Sequence, residues 1–190
     1  MDLVMGIFSA FGLSASAGLN AYIPLLVVAL LGRFTNLIKL ESPWDALTSW
    51  WVIGLLVILS IIEFFADKIP AVNHINDLVQ TLVRPAAGAI AFAASARIIS
   101  DVHPVLAMIL GLFVAGGVHA VKSLAVRPAV TASTAGAANV PVSIAEDMVS
   151  TLLSIVSAVI PVLVAVVIVL LTAWLVMWMW RRPSRNARRY

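Results

Sequence analysis

Two long stretches of this chain carry no charged residue: 3–31, which is 29 residues, and 148–180, which is 33 residues. As unbroken helices they would reach about 43 and about 50 Å, well past the roughly 30 Å hydrocarbon core of a bilayer. Runs of this kind need either a very large soluble core or lipid around them. The chain has only 190 residues, 62% hydrophobic and 11% charged, with a mean hydropathy of +1.07. That composition leaves too little polar surface to enclose them in a soluble domain. The expected fold class is therefore all-α, a polytopic integral membrane helical bundle. The excess length predicts that both runs are interrupted. In the first, Gly18 and Pro24 bracket Asn20 and Tyr22. In the second, Pro161 separates 148–160 from a piece, 161–180, that is long enough to span alone.

Further spans are expected over 52–62, over 77–99 with an interruption at Arg84-Pro85, and over 105–121. Segment 122–147 is rich in Ser, Thr, Ala and Gly and contains Pro128 and Pro141. It is too polar to face lipid, so a re-entrant piece buried in protein is expected there. The reading is about five full crossings plus re-entrant or broken helices. Residues 1–180 form a single transmembrane domain and 181–190 a basic cytoplasmic tail. Five of the 12 basic residues are Arg181, Arg182, Arg185, Arg188 and Arg189, and without them 7 basic residues face 9 acidic ones. The basic balance is thus a property of the tail and no sign of nucleic acid. Five crossings with the tail inside put Arg33, Lys39 and Arg97 on the tail's side and the N-terminus outside, in a cell (inner) membrane. Met1-Asp2-Leu3 lacks a basic leader, so the first run is expected as a retained span. The chain has no cysteine, which excludes disulfides and thiolate chemistry.

Polar residues fall into stripes at helical spacing. His74, Asp77, Thr81 and Arg84 lie 3, 4 and 3 apart, and Ser143, Asp147, Ser150, Ser154 and Ser157 lie 4, 3, 4 and 3 apart. Each set shares one helix face. Ser9, Gly12, Ser16 and Asn20 form a third, weaker stripe. None can face lipid, so the three are expected to face one another. The bland reading is polar packing. Against it stands the cost of each charge near the bilayer centre, on the order of 2.5–3.5 kcal/mol, where Leu or Ala would serve stability better. Asp77 and Arg84 are about 10 Å apart along one helix, so each needs a partner elsewhere or a ligand. Glu63 and Asp67 are one turn apart and are expected to meet Lys122 or Arg127.

Three sequence echoes suggest related halves. Asn76-Asp77-Leu78-Val79-Gln80-Thr81-Leu82 matches Glu146-Asp147-Met148-Val149-Ser150-Thr151-Leu152 at Asp, Val, Thr and Leu. Val83-Arg84-Pro85-Ala86 recurs as Val126-Arg127-Pro128-Ala129, and Ser16-Ala17-Gly18-Leu19-Asn20 resembles Ser133-Thr134-Ala135-Gly136 with Asn139. Their offsets are 70, 43 and 118, so no single sequential duplication explains all three. An internal pseudo-repeat is an expectation carried mainly by the Asp-containing echo. An Arg before a Pro at a helix start can hold an anion through its guanidinium and free N–H groups, or it can reach for headgroups.

The strings SAGLNAYIPLL, EFFADKIPAVNHINDLVQTLVRPAAGA and RPAVTASTAGAANVPVSIAEDMVS together resemble the membrane family catalogued as domain of unknown function 4126. The resemblance runs from about Ser14 to about Pro161. It implies a small multi-span membrane protein and supplies no activity.

The leading expectation is a small transporter or carrier, proton- or ion-coupled and anion-binding, with its site near mid-membrane. Substrate contacts are expected from Asn20, Tyr22, His74, Thr81, Arg84, Lys122, Arg127, Ser133 and Asn139. Ion or proton coupling is expected from Glu63, Asp67, Asp77, Glu146 and Asp147. One alternative is a binder or flippase for lipid headgroups or polyprenyl phosphates, and another is a non-transporting structural or assembly protein. No cofactor and no dedicated metal site are expected, because His74, Asp77, Glu63 and Asp67 form no dense ligand cluster. Phosphate loops and a Gly-x-Ser-x-Gly elbow are absent, which argues against hydrolase chemistry. Expected partners are membrane lipids and a small anion or ion; small-residue stripes are compatible with a homodimer and equally with tight packing inside one chain.

Overall fold

The computed structural model describes residues 2–68, 70–96 and 102–181, with the backbone alone at 2–4, 70–75, 77, 96 and several positions of the last helix. Among the described residues eight α-helices follow one another: α1 (Asp2–Leu19), α2 (Tyr22–Phe34), α3 (Trp50–Ala66), α4 (Pro70–Ala96), α5 (Pro104–Val121), α6 (Arg127–Thr134), α7 (Asn139–Val159) and α8 (Pro161–Arg181). A 3-10 turn at Trp44–Thr48 precedes α3, and a π turn at Lys122–Val126 joins α5 to α6. There is no strand among the described residues. Three helical stretches among the described residues are long and apolar enough to cross a membrane: Leu78–Ser95, Pro104–Thr134 and Asn139–Val159. Much of the outer face is apolar, with Leu78, Leu82, Phe113, Leu152 and Leu170 all exposed.

Helix α1 is the hub, packed on α4, α5, α7 and α8. Small residues let α4 and α5 close on it. A Cβ at Gly111 would come 2.6 Å from Phe92 Cβ and 2.9 Å from Ala89 Cα, and one at Gly88 would overlap Ala115. Ser14 Oγ donates to the carbonyl of Gly111 at 2.7 Å, so the closest helix approach also satisfies a buried hydroxyl.

The first apolar run is broken at Asn20 and Ala21, as its length requires. Asn20 Oδ1 accepts from the amides of Tyr22 (3.2 Å) and Ile23 (3.1 Å), capping the first turn of α2. The chain then reverses. A Cβ at Gly32 would lie 3.2 Å from Leu40 Cδ1, and Trp44, four residues further on, packs against the cluster of Ala10, Phe92, Ala93 and Ala107. Laid end to end with α1, α2 would carry Gly32 about 33 Å from Ala10. Helices α1 and α2 therefore form a hairpin with Asn20 and Ala21 at its tip. Helix α3 then packs on α2, and its end returns to that tip, where Glu63 meets Ala21.

The second run is broken at Ile160, whose backbone (φ −134°, ψ 67°) leaves the helix before Pro161 starts α8. Helix α8 then turns back. Val164 sits against Gly12, and Leu163, Val167 and Leu171 line an apolar cavity of about 540 Å³ with Phe11, Ala15, Val114 and Leu153.

Two expected interruptions are absent. Pro85 sits inside an unbroken α4. Residues 122–134 continue α5 through the π turn into α6, a 31-residue helical stretch, so they form no separate re-entrant piece. The π turn is the physical reason. Its wider coil re-registers the backbone just before Arg127, and Pro128 then falls in the first turn of α6, where an amide donor is dispensable. Ala135 (φ 52°) and Gly136 (φ 87°) make the left-handed turn that sends the chain back into α7. Arg97 and Asp101 and the tail beyond Arg181 lie outside the described residues.

Candidate functional site

The tip of the α1–α2 hairpin leaves two helix ends inside the protein. The carbonyl of Leu19 closes α1, where the helix dipole is negative, and it accepts from Lys122 Nζ at 2.9 Å. The amide of Ala21 opens α2, where the dipole is positive, and it donates to Glu63 Oε2 at 3.2 Å. A cation and an anion from elsewhere in the chain thus occupy the two poles of one break. Asn20 itself reaches the other way and donates to Asp147 Oδ1 at 3.0 Å.

From these contacts an ion-pair network spreads through five helical elements. Arg84 Nη2 lies 3.0 Å from Glu63 Oε1 and 3.5 Å from Asp67 Oδ2. Asp67 Oδ2 is also 3.6 Å from Lys122 and 3.3 Å from Arg127. Both of those cations sit 2.9 Å from Glu146 Oε2. Asn76 donates to Asp67 at 2.6 Å, and Lys68 pairs with Asp147 at 3.0 Å. Four carboxylates therefore balance four cations. Arg84 is 0% exposed and Glu63 1%. Taking each ion out of water costs several kcal/mol before pairing, so a cluster this size is retained only by cancellation of charge and dense hydrogen bonding. An apolar packing of equal volume would hold the helices at least as well.

His119 fixes a proton by geometry. Its Nδ1 lies 3.2 Å from Arg84 Nη1 and its Nε2 3.3 Å from Thr81 Oγ1. A guanidinium can only donate, so Nδ1 accepts and the ring is neutral with its hydrogen on Nε2. A second proton would set an N–H against the guanidinium N–H. The sequence puts His119 one turn before Lys122 on α5, a spacing that aims both at the same place.

Two of the three predicted stripes meet as expected. Ser16 Oγ lies 2.8 Å from Ser150 Oγ and 2.7 Å from Ser154 Oγ, and a Cβ at Gly12 would run into Ser157. Ser143, Asp147, Ser150, Ser154 and Ser157 are all buried on α7. In the third stripe, Arg84 and Thr81 reach His119, while the side chains of His74 and Asp77 lie outside the described residues.

Of the predicted contacts, Asn20, Glu63, Arg84, Lys122, Arg127, Asp67, Glu146 and Asp147 come together in or beside the network. Tyr22 starts α2 next to the tip, half-buried. Ser133 and Asn139 sit apart at the α6–α7 turn, where Ser133 donates to Val130 O and Thr131 to Asn139 Oδ1. Asp67 meets Lys122 and Arg127 as the sequence suggested, whereas Glu63 pairs with Arg84 instead. His119, Lys68 and Asn76 join the network without being among the site residues expected from sequence. The available signal was polarity at helical spacing from Lys122 for the first and adjacency to Asp67 for the second. No cluster of three or more metal-ligating side chains occurs among the described residues.

An apolar helical protein with a neutralised charge network around the tip of a helical hairpin defines the class. The chain belongs to the family described as domain of unknown function (DUF4126), whose model matches residues 7–182. No curated protein and no solved structure matches it.

Proposed function

We propose that this chain is a small multi-pass membrane transporter or carrier, ion- or proton-coupled, that takes its substrate at the tip of the α1–α2 hairpin. The observation that carries the reading is the occupancy of the break by Lys122 on Leu19 O and Glu63 on Ala21 N. In discontinuous membrane helices such poles hold ions and charged substrate groups. Here the chain's own charges hold them, which reads as an occluded, self-neutralised resting state. Lys122 and Arg127 each contact both Asp67 and Glu146. Neutralising either carboxylate by a proton leaves the cations bound by the other and opens one face of them to an anionic group. The π turn beside Lys122 supports the reading, since such turns recur at functional positions.

In this reading α1–α2 is a re-entrant hairpin, and α3, α4, α5–α6, α7 and α8 are five crossings of a cell membrane. With the C-terminus cytoplasmic, the N-terminus is outside. Counting α7 and α8 as two crossings moves Arg33 and Lys39 to the outer face, the reverse of the assignment from charge counting alone, and puts Lys68 on the tail's side; the hairpin keeps the N-terminus on the same face as Arg33.

The test is proton flux in proteoliposomes carrying a pH-sensitive dye, driven by gradients of phosphate, carboxylates or alkali cations. Substrate-stimulated flux in wild type that is lost in Asp67→Asn and in Arg84→Ala is the expected result. Flux unchanged in both variants overturns the site.

One observation favours a second reading, a carrier of amphiphiles with an anionic headgroup. A cavity of about 490 Å³ opens between α5 and α7, walled by Gly117, Val118, Val121, Val142 and Val149 and ending on Lys122 and Glu146. Lipid retained through purification by wild type and lost in Lys122→Ala would select it.

A further inference from the structure

At the end of the network beyond Asn20, Lys68 Nζ sits in an ammonium cage. It donates to Asp147 Oδ2 at 3.0 Å and to the carbonyl of Phe64 at 3.0 Å, and it lies 3.2 Å from the centroid of the Phe64 ring. Carboxylate, carbonyl and aromatic face are the three groups that recognise an ammonium ion. Asp147 and Phe64 also line a cavity of about 350 Å³ whose remaining walls are Asn20, Ile23, Ser60, Ile61 and Phe65. The buried Oγ of Ser60 in that wall has no hydrogen-bond partner among the described residues. An unused acceptor, a carboxylate and apolar walls beside a tethered ammonium describe space for a second ammonium carrying an apolar group.

We infer that this cavity binds a primary alkylammonium group, which takes Asp147 and the Phe64 ring from Lys68 and uses Ser60 Oγ as a further acceptor. Lys68 is the built-in competitor: it holds the cage closed when no amine is present. The apolar part of the ligand lies against Ile23, Ile61 and Phe65. A free amine and the ethanolamine headgroup of a lipid share this chemistry. The inference goes beyond the carrier reading and does not rest on it, since binding alone is at issue.

The experiment measures phenethylamine binding by titration calorimetry on the full chain in phosphatidylcholine nanodiscs. Phosphatidylethanolamine is then added to the discs in a second series. Wild type should bind the free amine, and Asp147→Asn should lose at least about tenfold in affinity. Lys68→Met should bind about tenfold more tightly, because removal of a tethered competitor raises the fraction of open sites. A cage that serves structure alone predicts no such gain. Competition by phosphatidylethanolamine assigns the site to the lipid headgroup, and its absence assigns it to free amines. Absence of amine binding in both wild type and Lys68→Met, or equal affinity in the two, overturns the inference. If Lys68→Met does not fold, Lys68→Gln takes its place, with the same expected gain and the same overturning result. Amine binding without any flux in proteoliposomes would overturn the carrier reading while leaving this site in place.

Discussion

Arg84 and Glu63 are joined twice: Nη2 lies 3.0 Å and Nε 3.3 Å from the same carboxylate oxygen, and neither residue is more than 1% exposed. Each is therefore the other's main compensation for lost solvation. Arg84→Leu should cost about 3–5 kcal/mol, because it strands a buried carboxylate. Glu63→Leu should cost a similar amount. The double variant should cost well under the sum, since the stranded charge is gone. Thermal or denaturant unfolding in detergent measures this, and strict additivity would show that the pair is not coupled.

A neutral His119 predicts an asymmetry between two substitutions. His119→Gln can still accept from Arg84 and should stay within about 1 kcal/mol of wild type. His119→Lys puts a cation against the guanidinium and should cost about 3 kcal/mol or more. Equal melting temperatures for the two would mean that the ring is not held as an acceptor.

Glycines separate by what surrounds them. Gly88→Ala and Gly111→Ala drive a methyl into the α4–α5 contact and should each cost about 1–3 kcal/mol. At Gly54 and Gly117 an added methyl would meet nothing within 4 Å. Gly54→Ala and Gly117→Ala should instead gain about 0.5–1 kcal/mol through the lower helix cost of alanine. Unfolding midpoints for the four variants check the ordering.

The hairpin makes a topological prediction that charge counting does not. Asn36 precedes α3, and Ala137 lies in the α6–α7 turn. The native chain has no cysteine, so Asn36→Cys and Ala137→Cys give clean single labels. Membrane-impermeant maleimide applied to intact cells should label Asn36→Cys alone. The same probe should reach a tag placed before Met1 from the face that exposes Asn36→Cys, and a tag reached only from the opposite face would reject the re-entrant hairpin.

What could be read from the sequence followed helical spacing. The stripe from Ser143 to Ser157 and the stripe from Ser9 to Asn20 were visible because spacings of three and four fix a helix face whatever the fold. The breaks near Asn20 and Pro161 were visible because uncharged runs of that length cannot cross a bilayer straight. The pairing of Glu63 with Arg84 was hidden, because it depends on where α3 ends relative to α4, and that is set by the reversal at Ala21. A proline-based expectation also failed at Arg127, where the π turn absorbs the misfit and lets α5 run on into α6. Proline identity signals a lost amide donor, but the neighbouring turn decides whether the helix stops.

The tip at Asn20 and Ala21 also constrains how the chain is made. Its three side-chain partners are Glu63, Lys122 and Asp147, the last 127 residues downstream. The chain through Asp147 must therefore emerge from the ribosome before the hairpin can meet all of its final partners. Until then, water or another partner must satisfy the open ends of α1 and α2. The α1–α2 hairpin is thus among the last parts of this fold to be completed.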